Sequence, residues 1–544
     1  MNSAEMGSAQ MQPARLADRL THGWAVSGAF LAALAWFALL AWVRPLTNPD
    51  EGRYIGVALD MLTRGDWIVP RLDGLPFFHK PPLFYWLGAA SMGTFGVSEL
   101  AGRMPSLLGA SLAVASVFAL VRRWADPVTA AVAALVLACM PYFYVGAQFA
   151  NLDMLVAGVM SATIAAAAHA TLRKEAGEAW QSMLTLAYAL AGLGLLAKGL
   201  IGLVLPGAVY LIWTLLRGQV RASLLQGRVR ASLPLLFFWP GWLALAAVAL
   251  PWMLAMQLRY ESFFDYFIVT QHFRRFSGAG FNNAHPFWFF VPVIALLTMP
   301  WPLWLIAGGR KLARRASWTD LDTLMLVWLL VIVVFFSIPN SKLVGYVLAA
   351  LPPLAVLVAR CALALARDSQ RGMRWLQWTV GGAATLCAAA GIGLAVQQRG
   401  LDESLIQSVA GSVSTSDRVV MLGDYYYQVP FYWKRSADSY IAGDWRESVA
   451  TARDNWRKEI WDAGQFESAR AARLLISTDD AARMTQCGGV TWFIGNIEWA
   501  TQPWLASRKP FAVRGEVAIW RIDPGMAGSA PSCAAQAKSL QVAP

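Results

Sequence analysis

Charged residues are scarce in this chain, since only 14% of its 544 residues are Asp, Glu, Lys or Arg. Soluble globular proteins carry about 25%, so the shortage excludes an ordinary water-soluble enzyme. Hydrophobic residues make up 57%, and the mean hydropathy is +0.46. Long apolar runs with few charges indicate segments that cross a lipid bilayer. The composition therefore predicts a polytopic α-helical membrane protein.

Cysteine and histidine are also few, with five residues of each type. The cysteines have no metal-type spacing, which argues against a structural zinc site. Cys139, Cys361 and Cys387 lie in apolar runs, and we interpret them as small core residues. Cys487 and Cys533 lie in the polar C-terminal region, where they can form a disulfide if that region faces an oxidising compartment.

The net charge is +12, and many of the 26 tryptophans lie near the ends of apolar runs. Tryptophan collects at membrane interfaces, and a basic protein is suited to anionic lipids. A protein that binds nucleic acid is also basic, but it does not need many apolar spans. We therefore predict membrane lipids as partners and no nucleic acid. The first apolar run is too long for a cleavable signal peptide.

Apolar runs close to the ~20 residues that a bilayer requires predict eleven spans, and we expect an odd number. They lie at 24–43, 104–121, 127–146, 152–171, 179–197, 200–216, 234–256, 287–307, 323–338, 343–360 and 375–396. The stretch 82–98 is short and aromatic, and we interpret it as an interfacial helix. Basic residues fall in alternate loops, which predicts a cytoplasmic N-terminus and a C-terminal region on the opposite side.

The chain divides into three predicted parts. Residues 1–22 form a cytoplasmic tail, and 23–398 form a transmembrane domain with outer loops at 44–103 and 257–286. Residues 399–544 differ in composition, because β-type runs such as Arg418–Leu422 alternate with a polar stretch that is typical of helix. We predict a small extramembrane α/β domain there.

Many charges lie in the outer loops, against the usual bias of cations toward the cytoplasm. The loop 44–103 carries Asp50, Glu51, Arg53, Arg64, Arg71, His79, Lys80 and Arg103, and the loop 257–286 carries Arg259, Glu261, Asp265, His272, Arg274, Arg275 and His285. Asp153, Lys198 and Lys342 lie at the outer ends of spans, where ionisable residues are functional candidates. Together they predict an outer cavity with carboxylates for a reacting centre and cations for phosphates.

Several of these residues also have simpler structural explanations. Asn48 is suited to cap a helix with Pro49 at its first position, so capping is an alternative role for Asp50. Asp153 can likewise cap the span that follows it. Single histidines such as His79 and His272 are more often structural than metal ligands.

Interfacial positions explain two further groups of residues in the first outer loop. We interpret Arg64 and Arg71 as side chains that extend from the bilayer toward water. An aromatic cluster follows, and we interpret it as an interfacial belt and only secondarily as a wall of a lipid-binding site. Its members are Phe77, Phe78, Phe84, Tyr85 and Trp86.

A series of short motifs resembles the GT-C membrane glycosyltransferases, specifically the bacterial relatives of protein O-mannosyltransferases. The motifs are Asn48-Pro49-Asp50-Glu51-Gly52-Arg53-Tyr54, Gly65-Asp66-Trp67-Ile68-Val69-Pro70, His79-Lys80-Pro81-Pro82-Leu83, Leu152-Asp153, Ala197-Lys198-Gly199, His272-Phe273-Arg274-Arg275-Phe276, His285-Pro286-Phe287-Trp288 and Ser341-Lys342-Leu343 with Tyr346. The resemblance covers residues 45–360 and, more weakly, 429–432. The motifs resemble most strongly those of the lipid A 4-amino-4-deoxy-L-arabinose transferase group. Where that group has Glu before the lysine, this chain has His79.

The resemblance implies 11 to 13 transmembrane helices, a periplasmic α/β domain and a location in the bacterial inner membrane. It implies an undecaprenyl-phosphate sugar as donor, with lipid A or another periplasmic molecule as acceptor. Addition of a cationic sugar to lipid A would confer polymyxin resistance. We expect no required cofactor, and we keep a divalent metal near His79 and His272 as an alternative.

The resemblance also assigns roles to individual residues. Asp50 is the catalytic carboxylate, Asp153 is a second essential acid, and Lys80 binds the carrier phosphate. The other candidates for binding the donor phosphate are Arg53, Arg275, Tyr346, Lys198 and Lys342. The expected reaction is a single displacement with inversion, in which nearby carboxylates stabilise an oxocarbenium-like transition state.

Two other functions stay open at this point. A related transferase that moves mannose or another hexose to a protein or glycolipid would share these motifs. A transporter or flippase of lipid-linked substrates would also be polytopic, but such proteins often carry charges in mid-span positions. The charges here gather at one membrane face, which favours an enzyme over a transporter or a structural scaffold.

Overall fold

The computed structural model describes residues 24–220, 233–274, 283–314, 318–367, 369–398, 403–434 and 438–523. The chain separates into two compact units. The first unit comprises Met1–Ala41, Arg103–Leu254 and Asn283–Ile392, and the second comprises Trp42–Gly102, Ala255–Asn282 and Gly393–Pro544. The segments predicted as outer loops therefore pack mainly with the C-terminal region, whereas the predicted domain boundaries and membrane sides stay predictions.

Most of the described residues are helical. Up to residue 398 the α-helices are Ala25–Ala38, Asp50–Arg64, Leu83–Phe95, Glu99–Trp124, Pro127–Ala138, Pro141–Ala147, Leu152–Glu175, Gln181–Lys198, Ile201–Val220, Trp239–Arg259, Phe290–Leu297, Pro302–Arg314, Asp320–Ser337, Leu351–Ala366 and Gln370–Gln398. Shorter α-helices follow at Glu403–Val409, Val429–Tyr432, Glu447–Ala450, Trp456–Gln465, Ser468–Leu474, Thr478–Met484 and Pro503–Ala506. A π-helix covers Asp265–Arg274, and 3₁₀-helices cover Leu233–Phe237, Val344–Ala350, Ala410–Ser412 and Ile497–Thr501.

The apolar helices make this a multi-pass membrane protein. In the described ranges, six helices are long and apolar enough to cross a bilayer, and eight spans result if each of two bent helix pairs counts as one. The pairs are Pro127–Ala138 with Pro141–Ala147, bent by 66°, and Phe290–Leu297 with Pro302–Lys311, bent by 98°. Every predicted span falls on helical structure, but the odd number of spans stays a prediction.

Glycine allows two long helices of the first unit to cross closely. A Cβ atom on Gly158 would lie 2.0 Å from the carbonyl oxygen of Gly109, and a Cβ on Gly109 would lie 2.6 Å from that of Met154. Any larger residue would force the backbones apart, and small residues at such crossings are typical of packed membrane helices. This contact joins the helix Glu99–Trp124 to the helix Leu152–Glu175, which carries Asp153 near its start.

Eight strands lie in the described part of the second unit. They are β1 (Arg71–Leu72), β2 (Leu75–Pro76), β3 (Arg418–Leu422), β4 (Tyr440–Ala442), β5 (Leu475–Ile476), β6 (Thr491–Asn496), β7 (Ala512–Arg514) and β8 (Val517–Ile522). β1 and β2 form a hairpin, and the others form a sheet in the order β5-β4-β3-β6-β8-β7. β3 to β6 are parallel, whereas β7 and β8 add an antiparallel edge. Short helices connect the parallel strands, and β3 has the predicted bounds.

The start of the helix Asp50–Arg64 differs from the prediction that Asn48 caps it. The helix is preceded by Pro49 without a side-chain cap. Thr47 and Glu51 take this role instead, because the Thr47 carbonyl accepts the N–H of Glu51 at 3.2 Å while the Glu51 carboxylate accepts the N–H of Thr47 at 3.0 Å and its hydroxyl at 2.9 Å. The same carboxylate also pairs with Arg44, and both side chains are almost fully buried, with 0% and 2% of their surface exposed.

Cysteine placement agrees with the expectations for the apolar runs. Cys139, Cys361 and Cys387 are buried and free. Cys487 is disulfide-bonded. The residue expected to pair with it, Cys533, lies outside the described residues.

We expect Glu51→Gln to lower the melting temperature of the purified protein sharply. A glutamine leaves the Arg44 guanidinium buried without a counter-charge, and breaking a buried pair in this way costs about 3–5 kcal/mol. Thermal denaturation in detergent measures the change. The matched control is Asp444→Asn, which removes a carboxylate from an exposed ion pair with Arg446 and should leave the melting temperature unchanged. Equal melting temperatures for the two variants would contradict the structural role of the buried pair.

Candidate active site

Asp50 presents an exposed carboxylate at the first position of the helix Asp50–Arg64, with 66% of its side chain accessible. The next residue, Glu51, points into the protein and pairs with Arg44. The two adjacent acids therefore lie in different environments: the buried Glu51 anchors the helix, and the side chain of Asp50 lies at the surface.

Arg53 lies one turn after Asp50 and pairs with two carboxylates, Asp50 and Glu459. Its guanidinium lies 5.1 Å from the ring centroid of Tyr54 and 5.8 Å from that of Tyr427, whose hydroxyl donates to Glu459 at 2.9 Å. Burial opposes the charge, but the attraction of Glu459, the two tyrosines and Asp50 raises the pKa of Arg53. Arg53 is therefore a fixed cation that orients Asp50.

His79 is buried against Phe77, with the two rings stacked and their centroids 4.7 Å apart. Its Nε2 lies 4.0 Å from an Asp462 carboxylate oxygen, which also accepts from the hydroxyl of Tyr266 at 3.2 Å and pairs with Lys458. Lys80 follows and is half-buried, three residues before the helix Leu83–Phe95. Lys80, the residue predicted to bind phosphate, thus directly follows a cluster that contains His79, Asp462 and a second lysine, Lys458.

The histidines do not form a recognisable metal site in the part of the chain that the structure describes. No group of three or more His, Cys, Asp or Glu side chains comes together there in a way that would hold a metal ion. His79 and Asp462 supply two such groups. His272 belongs to the π-helix Asp265–Arg274, but its side chain lies outside the described set, as does all of Arg275. Metal binding at His79 and His272 stays a prediction.

Asp153 and Lys198 form an ion pair in the first unit, with 21% and 11% of their side chains exposed. Asn151 caps the helix through its side-chain oxygen, which accepts the N–H of Met154 at 2.7 Å, so Asp153 is not the capping residue. The Lys198 ammonium lies 4.7 Å from the ring centroid of Tyr346. Gly345 allows the close approach, because a Cβ there would lie 3.1 Å from the Asp153 carboxylate. Three predicted site residues therefore meet at one place.

Lys342 is 2% exposed, and its ammonium donates to the carbonyl oxygens of His285, at 2.8 Å, and Pro339. The backbone supports the same connection, since Lys342 N donates to Asn283 O at 3.0 Å and His285 N to Asn340 O at 3.1 Å. In this structure the ammonium joins two segments of the first unit. A direct contact of Lys342 with donor phosphate stays a prediction.

The interfacial interpretation of the first outer loop is wrong for most of its residues. Phe77, Phe78, Phe84 and Tyr85 are at most 1% exposed, so they are core residues of the second unit. Hydropathy alone does not distinguish an aromatic ring in lipid from one inside a folded domain. The two arginines also differ from the prediction, because both form ion pairs within the second unit. The pairs are Arg64 with Asp60 and Asp438, and Arg71 with Glu467.

A cluster of acids lies at the β1–β2 hairpin: Asp60 and Asp438 pair with Arg64, and Asp438 also pairs with Arg470. Asp73, in the turn of the hairpin, accepts a hydrogen bond from Ser439 N at 3.0 Å and lies close enough to be affected by the charge of Asp438. Burial raises the pKa of Asp73 to about 8, and the charge of Asp438 adds to the effect. Burial likewise raises the pKa of Asp60 to about 6, although Arg64 opposes the shift. Sequence patterns do not reveal Asp438, Glu459 or Asp462 as neighbours of the predicted site, because these residues lie in the C-terminal region, hundreds of positions from Arg64, Arg53 and His79.

Asp73 makes the stability of the second unit depend on pH. Its folded pKa lies above the unfolded value of about 4, so the folded state binds the proton more tightly and loses stability as the pH rises from about 4 to 8. We expect Asp73→Asn to remove the loss of stability that ionisation of Asp73 causes at high pH. The variant should therefore melt several degrees above the parent at pH 8.5 but not at pH 5. Melting curves at both pH values test this, and parallel behaviour of the two proteins would contradict it.

Comparison with known proteins identifies what this chain resembles. Residues 79–252 match the family model described as dolichyl-phosphate-mannose-protein mannosyltransferase. The chain is 34% identical over 346 residues to undecaprenyl phosphate-alpha-4-amino-4-deoxy-L-arabinose arabinosyl transferase 1 of Sodalis glossinidius, covering 61% of this chain and 59% of the relative. The Pseudomonas aeruginosa transferase of the same kind is 31% identical, over 59% of this chain and 57% of its own length. The matches thus span about three fifths of these relatives.

Solved structures show the fold. ArnT from Cupriavidus metallidurans, bound to undecaprenyl phosphate, superposes with a TM-score of 0.72 at 21% identity, covering 93% of this chain and all of that one. The oligosaccharyltransferase of Archaeoglobus fulgidus gives a TM-score of 0.51 at 14% identity, over 88% of this chain and 70% of that one. The chain therefore has the GT-C fold of membrane glycosyltransferases, and the resemblance predicted from its motifs is confirmed.

Proposed function

We propose that this chain, a GT-C membrane protein similar in sequence to undecaprenyl phosphate-aminoarabinose arabinosyl transferases, transfers 4-amino-4-deoxy-L-arabinose from undecaprenyl phosphate to a phosphate of lipid A. The reaction would occur at the periplasmic face of the bacterial inner membrane and would lead to polymyxin resistance. The observation that carries the proposal is the pair of adjacent acids, in which buried Glu51 anchors the helix and Asp50 is exposed beside Arg53.

The donor reaction breaks a glycosyl–phosphate bond, and the leaving phosphate needs positive charge. Arg53 and Lys198 already have carboxylate partners, so their charges are largely compensated before a ligand arrives. We assign the main contact with the carrier phosphate to Lys80, because the motif resemblance implies this role and its half-buried side chain directly follows buried His79. Arg53 holds Asp50 in place, and Lys198 with Tyr346 holds Asp153.

The role of Asp50 depends on the acceptor. A lipid A phosphate oxygen is already ionised and needs no strong base, so Asp50 would orient the donor sugar and stabilise positive charge in the transition state. A hydroxyl acceptor would instead require Asp50 as general base. A single displacement with inversion fits both cases, with the acceptor oxygen forming the new glycosidic bond as the polyprenyl phosphate departs with the bonding electrons.

We expect Asp50→Asn to reduce transfer by on the order of 10²-fold or more, because the neutral amide neither takes a proton nor stabilises the developing charge. The assay expresses the variant in a bacterium that makes the lipid-linked aminosugar but lacks its own transferase, and records the mass spectrum of lipid A. Asp444→Asn is the control, since it removes an exposed carboxylate that lies outside these clusters. Full addition of the aminopentose by Asp50→Asn would overturn the catalytic assignment.

Lys80 provides a second test, directed at the phosphate. Loss of a charge-assisted contact costs about 1.5–3 kcal/mol, so Lys80→Met should lower transfer about 10- to 100-fold. Lys80→Arg should restore part of the activity because it keeps the charge. Lys509→Met, at an exposed position of the C-terminal region, is the control. Equal rates for Lys80→Met and Lys509→Met, measured in membranes with purified donor, would exclude the phosphate role.

A second candidate function is transfer of mannose or another hexose to a protein or glycolipid. The family model matched by residues 79–252 favours it, because that model describes protein mannosyltransferases. The lipid A assay separates the two functions. An unchanged lipid A mass, with the protein present in the membrane, would exclude lipid A as the acceptor and favour this alternative.

A further inference from the structure

The C-terminal sheet has a feature that has no role in the proposed transfer reaction: successive strands are added on one side of β3 and then, from β6 onward, on its other side. From β3 the chain moves to β4 and β5 on one side, and it then returns to place β6 on the other side, followed by β8 and β7. β3 and β6 are parallel neighbours, so their carboxyl ends lie at the same edge of the sheet. In open α/β sheets, ligands bind in the crevice outside this edge, where neighbouring strands connect in opposite directions.

A cavity of about 410 Å³ lies at this position. Its walls include Leu422, Gly423 and Asp424 at and after the end of β3, and Asn496 and Trp499 at and after the end of β6. The volume falls within the roughly 300–1,000 Å³ range of small-molecule sites. Topology and shape therefore agree on the location of a crevice, which we call the switch-point crevice.

Glycine at the end of β3 brings an indole ring into the crevice wall. Gly423 has φ +74°, and a Cβ there would lie 3.2 Å from Cζ2 of Trp499. Gly495 has the same effect from β6, since its Cβ would lie 3.1 Å from Cδ1 of the same ring. Any side chain at either position would crowd the indole. Trp499 is only partly buried and so offers aromatic surface beside the crevice.

The polar lining has a definite chemical character. It contains three amides, Asn48, Gln428 and Asn496, and two carboxylates, Asp424 and Glu516. Lysine and arginine are absent from the described residues that line it. Such a surface donates hydrogen bonds to hydroxyl groups and accepts hydrogen bonds from them. Its carboxylates attract the positive charge of an amine and repel the negative charge of a phosphate.

Gln428 is the strongest sign that the crevice is built for a ligand. The residue is 1% exposed, and its Oε1 has no hydrogen-bond partner in the described structure. An unsatisfied buried carbonyl costs about 1–3 kcal/mol, so a purely structural core would favour an apolar residue here. A ligand hydroxyl or amine in the crevice would satisfy this oxygen.

We propose that the switch-point crevice binds a saccharide unit, whose hydroxyl or amino groups bond to Gln428, Asn496 and Asp424 while its ring lies against Trp499. Neutral and amine-bearing sugars fit, and anionic sugar phosphates do not. Aromatic rings and planar polar side chains together match the apolar faces and equatorial hydroxyls of a sugar ring. The proposal does not rest on the proposed function, and one lining residue, Asn48, lies two positions before Asp50 in the chain.

The test uses the full-length protein in detergent and saturation-transfer NMR with D-glucosamine, D-glucose and D-glucose 6-phosphate. We expect binding of the first two sugars and none of the phosphate. Asp424→Asn should weaken glucosamine binding about tenfold and glucose binding less, because a charge-assisted bond is lost. Binding of the sugar phosphate as tightly as glucose would overturn the assignment.

Gln428→Met separates a ligand role from a structural one. Removal of an unsatisfied buried oxygen should leave the melting temperature unchanged or raised, while sugar binding falls. Asp479→Asn, an exposed carboxylate on the helix Thr478–Met484 that does not line the crevice, should leave binding unchanged. Asp50→Asn should also leave it unchanged. Loss of the signal in Asp50→Asn with retention in Gln428→Met and Asp424→Asn would place the sugar at the transfer site and refute the proposal.

Discussion

Arg44 and Glu51 form a buried ion pair at the start of the helix Asp50–Arg64. The position of this helix in the second unit depends on that pair. Neither charge is stable there alone, because an isolated ion in a low-dielectric interior pays a large desolvation penalty. Glu51 also accepts two hydrogen bonds from Thr47, so one carboxylate fixes the chain before the helix and its first turn. This anchoring leaves the adjacent Asp50 exposed at a defined point, which a flexible loop would not achieve.

The same requirement for compensated charge joins distant parts of the chain. Arg53 pairs with Glu459, Arg71 with Glu467 and Arg64 with Asp438. Each pair joins the 44–103 segment to the C-terminal region, which is why these segments form one unit. These ion pairs also limit the chemical roles that the paired arginines can have. Cations such as Arg53 that already have carboxylate partners are held in fixed positions and can in turn position other groups.

The sheet of the C-terminal region shows how topology creates a site without dedicated catalytic groups. β3 and β6 are parallel neighbours from which the chain continues in opposite directions across the sheet, and this opens a crevice at their carboxyl ends. Gly423 and Gly495 allow Trp499 to border the crevice. The buried, unsatisfied Gln428 oxygen gives the crevice a polar wall that packing alone does not explain. With the proposed crevice, a membrane glycosyltransferase fold would combine the proposed transfer centre with a second surface that recognises sugars.

Sequence alone determined the properties that depend on local composition: the apolar helices, the acids in the first turn of Asp50–Arg64 and the bounds of β3, because periodicity and hydropathy are set by neighbouring residues. The motif order also indicated the fold, which is confirmed, and the catalytic role of Asp50, which stays a prediction. Only the tertiary structure decided which charges are paired, since Arg53 and Glu459 are 406 positions apart and no local rule relates them. It also decided that Thr47 and Glu51 replace Asn48 at the helix start, and that Phe77 and Phe78 are buried in protein. Hydropathy measures how favourable it is to remove a residue from water, and burial in lipid and burial in a protein core both achieve this.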